Sequence, residues 1–241
     1  MIQSSRYEIR TDDIYITRWL TILDWNPTAA FKRLTRYHKF RKEHPDWHFT
    51  RHVSAYDQLL KRNIAVMLPH RDKHGRRVYL MHASKMDTSE VTIEEMGQID
   101  TIWFESILDE AETQQNGVTI IIDMKDVKWR LFKWLTPQNS YYSSVFAEVA
   151  PVKAYDIHLV NTSNFVYKFM KIVMPFMMKG VLRKMNFHSS DLRTLHEALG
   201  RDCLPPQYGG PAENAINYDE LRRKLYKTLE EKEKLILAIS S

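Results

Sequence analysis

The chain has 241 residues, 44% hydrophobic and 27% charged, a balance that excludes a disordered or collagen-like polymer and suffices for a sizeable core in one or two domains. Lysine and arginine exceed aspartate and glutamate by 35 to 30, too mild an excess to choose between an anionic membrane, a nucleic acid and plain solubility. Cys203 is the sole cysteine, which rules out an intrachain disulfide and points to a reducing compartment, by default the cytoplasm.

The opening residues MIQSSRYEIRTDD carry no apolar run, so no secretory leader is expected. Residues 11–44 predict two helices. Thr11 is placed to cap DDIYITRWLTIL, and Asn26 before Pro27 is a strong start signal: the side-chain oxygen takes an orphan amide and proline fits the first turn. Ala30, Phe31, Leu34 and Tyr37 then recur at helical spacing until Pro45. His44, His48 and His52 are spaced by four, as metal ligands on a helix would be, but Pro45 interrupts them and nothing completes a ligand set, so no metal is expected.

From about residue 61 the period changes. RRVYLMH, GVTIIIDM and KAYDIHLVN are short, β-branched and bounded by turns, and predict strands. Between the first two, Met96, Ile99, Trp103, Ile107 and Leu108 trace a helix face, and TPQNSYYSSVFAEVA predicts a helix before the third. Alternating strands and helices imply an α/β sandwich with a mixed, largely parallel sheet. The basic stretch KRNIAVMLPHRDKHGRRVYL reads as a solvated hairpin turn around Gly75, and no nucleic-acid partner is expected. Farther on, KMNF is a short strand candidate, Ser190 a cap for the helix that follows, and LPPQYGG a rigid turn. Asn217 with Glu220 resembles a capping box for a last amphipathic helix carrying Leu221, Leu225 and Leu229.

The segment NFVYKFMKIVMPFMMKGVLRKM, residues 164–185, is apolar nearly all round. Lys168, Lys171 and Lys179 interrupt it, so it is no membrane span, which needs about 20 apolar residues in a row. One stripe joins Phe165, Phe169, Ile172, Val173 and Phe176, and a second joins Val166, Met170, Val173 and Met177. Periodicity leaves two readings open: a fully buried core helix, or a cover with one face on a ligand and the other on protein or bilayer. Five of the eleven methionines lie between Met170 and Met185, and Pro175 kinks or ends the helix there, a hinge candidate.

In their order, DDIYITRWLTILDWNPTAAFKRLTRYHKFRKEHP, ETQQNGVTIIIDMKDV, PVKAYDIHLVN, MPFMMKGVLRKMNFHSSDLRTLHE and LPPQYGG make the chain resemble the CRAL-TRIO family over nearly its whole length, in particular the α-tocopherol transfer and retinaldehyde-binding branch. The resemblance implies a helical N-terminal module over 1–60, a lipid-binding α/β/α sandwich over 61–215 and a C-terminal amphipathic helix over 216–241. It also implies a mobile gate helix, the segment above, covering an apolar pocket.

On that basis the ligand wall is expected from Phe104 and Ile107, from Val118, Ile120 and Ile122 on one strand face, from Tyr142, Val145 and Phe146, and from Phe165, Phe169, Ile172 and Val173 of the gate. Met170, Met174 and Met177 are expected to face outward and meet the membrane, with Lys153, Lys179, Arg183 and Lys184 as the headgroup cluster. Gly180 stands where the branch has a lysine, and Thr21 and Leu23 where its helical module has arginines. The implied function is intracellular binding and transfer of a small lipophile, a retinoid, carotenoid, tocopherol or similar, with transient association with an anionic membrane surface. A phospholipid- or phosphoinositide-sensing regulatory module of the same fold is the alternative. No nucleophile elbow, Walker A or dinucleotide fingerprint occurs, and HSSD gathers triad-type residues only in sequence, so no catalysis is expected and no cofactor beyond a bound lipophile.

Overall fold

A computed structural model of the chain describes residues 9–152 and 155–237. The N-terminal module pairs α1 (Asp13–Thr21) with α2 (Pro27–Glu43). Asp12, not Thr11, caps α1, its carboxylate accepting the Tyr15 amide; Asn26 caps α2 through the Ala29 amide, as its place before Pro27 implies. Tyr15, Trp19, Leu34, Tyr37 and Phe40 bury their rings and branches in one cluster.

Five strands follow: β1 (Ala65–Arg71), β2 (Arg77–His82), β3 (Val118–Asp123), β4 (Tyr155–Val160) and β5 (Met185–Phe187). They lie side by side in sequence order. The β1–β2 pair is an antiparallel hairpin turning at Gly75 (φ 73°), and every later pair is parallel, so the sheet is mixed and largely parallel. Parallel neighbours need crossovers, and the connecting segments supply helices. These are α3 (Ile93–Ile107) and α4 (Ala111–Asn116) before β3, α5 (Pro137–Val149) before β4, and α6 (Asn164–Val173) before β5. Thr92 and Glu95 form a reciprocal capping box at the start of α3.

Beyond β5 run α7 (Arg193–Leu199) and α8 (Tyr218–Glu230). Ser190 does not cap α7; instead the Asp191 carboxylate accepts the Arg193 amide. Asn217 accepts the Glu220 amide at α8. Within LPPQYGG, the Tyr208 hydroxyl donates to Asp123 at the end of β3 (2.6 Å). A Cβ on Gly210 would fall 1.6 Å from the Leu204 carbonyl oxygen, so only glycine fits that turn.

The module and the sandwich are joined by charge. Arg18, fully buried, donates to Glu105 at the end of α3 (3.1 Å) and to Asp109 just beyond it (2.6 Å), and Lys232 after α8 reaches Asp109 as well (3.2 Å). Burial disfavours the Glu105 carboxylate, but Arg18, Lys232 and Arg41 together outweigh it and the pKa ends below the usual value. Three separate stretches of chain therefore meet on one satisfied buried ion cluster.

Candidate functional site: an apolar cavity under α6

A cavity of about 330 Å³ lies between the sheet and α6, within the range of small-molecule pockets. Its floor follows from strand alternation. Ile120 and Ile122 of β3 face it, joined by Tyr79 and Met81 of β2, Ile157 and Leu159 of β4 and Met185 of β5, while Ile121 is fully buried on the opposite face. One wall is α3, through Met96, Asp100, Thr101, Phe104 and Glu105; another is α5, through Ser140, Ser143, Phe146 and Ala147. Tyr37 and Trp47 enter from the helical module, and Leu131, Trp134 and Leu135 from the 3-10 turn before α5. Seven of the eleven methionines line the space, an adaptable surface because methionine is unbranched and polarizable.

Of the expected wall residues, Phe104, Ile120, Ile122 and Phe146 border the cavity. Four others do not. Val118 and Ile107 are buried in the surrounding core, and Tyr142 and Val145 turn toward the helical module, where the Tyr142 ring lies 4.7 Å from that of His44. His48 is buried among the Tyr37, Phe40 and Phe146 rings, and His52 accepts the Ser54 amide. The helix carrying Tyr142 serves two cores, one on each side.

The facing expected for α6 is reversed. Ser163 caps the helix through the Val166 amide, and Val166, Met170 and Val173 are the buried stripe. Met170 and Met177 border the cavity; Met174 is half-buried and does not. Phe165 and Ile172 are 63% and 65% exposed, and Phe169 is intermediate, packed on Phe132. Val173 faces inward as expected but into the core rather than the cavity. The sign was carried by the lysines: at about 100° per residue, Lys168 and Lys171 lie opposite Val166, Met170 and Val173, with Phe165 and Ile172 flanking the lysines. The helix ends at Val173, and Pro175 sits in a 3-10 turn, Met174–Phe176.

The exposed side of α6 packs on the 3-10 turn before α5, which carries a further exposed aromatic. Trp129 is 66% exposed with the Lys133 ammonium over its ring, and Phe132 of the same turn contacts both Phe165 and Phe169. Trp129 escaped the sequence reading because no periodicity marks a 3-10 turn. Lys168, Lys171, Lys179 and Arg183 are exposed nearby in sequence, and Lys184 is half-buried, its burial lowering the ammonium pKa. Lys153 lies outside the described residues. No described helix is long and apolar enough to cross a membrane.

A mixed, largely parallel sheet, a helix laid over an apolar cavity of ligand size and a helical module packed behind define the α/β architecture of this chain. Residues 61–210 match the CRAL/TRIO domain, and the chain belongs to that family. It is 27% identical to Clavesin-1 of Xenopus laevis over 207 residues, covering 84% of this chain and 62% of that protein. It is also 27% identical to the Alpha-tocopherol transfer protein-like of Mus musculus over 202 residues, 83% of this chain and 59% of that protein. The chain thus spans about three fifths of the length of these relatives. The crystal structure of Sfh5 shares the fold at a TM-score of 0.60 and 15% identity, covering 88% of this chain and 78% of that one.

Proposed function

We propose that the chain binds one small lipophilic molecule in the cavity under α6 and transfers it between membranes, with α6 as the gate. The observation that carries this reading is the two-sided helix. Met170 closes an apolar cavity from within, while Phe165, Ile172 and the adjoining Trp129 present bulky apolar groups outward among lysines. Exposed apolar patches rimmed by cations mark surfaces that meet protein or membrane. Each buried CH₂ of a ligand gains about 0.8 kcal/mol relative to water. A ligand leaving a bilayer is already in oil, so the exchange is nearly even and opening the gate at the membrane controls it. A cavity of about 330 Å³ suits a retinoid-sized lipophile best among the retinoid, carotenoid and tocopherol classes.

The test is transfer of a fluorescent polyene from loaded protein to anionic acceptor vesicles. The double variant Phe165→Asp, Ile172→Asp is expected to keep its load in solution and lose most of its transfer rate. Unchanged transfer would rule out this face as the docking surface, and failure of the wild-type protein to retain any lipophile would end the carrier reading.

A further inference from the structure

The cavity is mostly apolar, and one carboxyl on its wall has no cation. Asp100 projects from α3 into it, and the Tyr79 hydroxyl on β2 donates to one carboxylate oxygen at 2.8 Å. Among the described residues no other donor and no ion-pair partner reaches that carboxyl, and burial pushes it up to about 7. Glu105, the other acid on the wall, is already held by Arg18. No lysine, arginine or histidine among the described residues lines the cavity. On α5, Ser140 also borders the space, but its hydroxyl oxygen is buried behind the cavity surface and takes no part in the site. A carboxyl with a single partner on a largely apolar wall carries a free-energy cost, and here it opens on a space sized for a small molecule.

We infer that Asp100, held by Tyr79, is the anchor for the polar end of the cargo, and that the cargo is a lipophile whose head donates a hydrogen bond and bears no negative charge, an alcohol, phenol or amine. This rests on the carrier reading above. The donor satisfies the second carboxylate oxygen. A carboxylate or phosphate ester would enter a cavity that holds an acid and no counter-ion, where like charges are poorly screened.

Native mass spectrometry of the delipidated full chain, offered an equimolar mixture of hexadecanol, hexadecylamine, hexadecyl methyl ether and palmitic acid, reads the choice of head directly. The expected result is retention of the alcohol and the amine over the ether and the acid by about tenfold, the worth of a hydrogen bond to a charged acceptor. Asp100→Leu should erase that preference while still retaining lipid. Asp100→Asn keeps the side-chain shape and one acceptor oxygen, and should keep the alcohol ahead of the ether while losing the amine's advantage. Retention of the acid ahead of the alcohol, equal retention of all four heads, or a preference untouched in Asp100→Leu overturns the anchor and leaves the carrier standing. If the wild-type chain retains none of the four, the carrier reading and the anchor fall together.

Discussion

The Phe132 and Phe169 rings lie 4.1 Å apart between centroids, and this contact fastens α6 to the 3-10 turn before α5. Phe132 also meets Phe165 edge-on at 5.6 Å, so one side chain on the turn holds two successive turns of α6. Aromatic pairs of this kind contribute about 0.5–1.5 kcal/mol beyond their burial. Phe132→Ala is therefore expected to speed the loss of a bound fluorescent lipophile to vesicles by roughly tenfold, together with a modest fall in melting temperature because the ring also packs on the core. An unchanged dissociation rate would mean that α6 is closed by contacts elsewhere.

The sequence and the structure agree where one physical signal dominates. Asn26 before Pro27, the β-branched runs that became β2, β3 and β4, and the alternation that puts Ile120 and Ile122 on the cavity side are each written locally. Where two signals compete, residue identity alone misled. On α6, phenylalanine suggested an inside and methionine an outside, yet burial followed Lys168 and Lys171, which hold Met170 inward. Tyr142 and Val145 sit on a helix packed on two cores, and a single strip of sequence does not say which core each residue serves. Asp100 was passed over altogether. An acid within an amphipathic helix reads as solvent-facing until coordinates show Tyr79 donating to it inside a cavity.

The ion cluster at Arg18 makes a stability prediction. Arg18→Met leaves Glu105 buried without its cation, and removing one partner of a buried pair costs about 3–5 kcal/mol. Urea denaturation should show a midpoint lowered accordingly, while Arg18→Met with Glu105→Leu should recover much of the loss. Both carboxylates at this cluster have depressed pKa values, Glu105 and Asp109 alike. Their contribution is full above the ordinary carboxylate range and is lost as pH falls below it.

Asp100 has the opposite sign. Its carboxyl titrates near 7 in the fold against 3.8 for an ordinary aspartate, so between those values the folded chain holds the proton that the unfolded chain has released. Stability contributed by this group therefore falls as pH rises through that window. Asp100→Asn should match the wild type near pH 4, melt progressively higher than it toward pH 7, and keep a constant advantage above. Taking the difference at each pH cancels the acid-side losses from Glu105 and Asp109, and also from His38, whose pKa burial lowers to about 4. A difference in melting temperature that stays flat from pH 4 to 8 would show that Asp100 ionises normally.

Gly180 offers the cleanest gain-of-function experiment. It stands in the short helix Lys179–Leu182, between the exposed Lys179 and Arg183, and a Cβ built there meets nothing within 4 Å. Gly180→Lys therefore fits without strain and replaces the least favourable helix residue short of proline. A lysine near an anionic surface contributes about 1 kcal/mol. Sedimentation with vesicles containing anionic lipid should tighten by roughly fivefold, with no change on neutral phosphatidylcholine. If both vesicle types bind the variant and the wild type equally, Lys179–Leu182 points away from the docked membrane, and the contact is carried by Trp129, Phe165 and Ile172 with the lysines of α6.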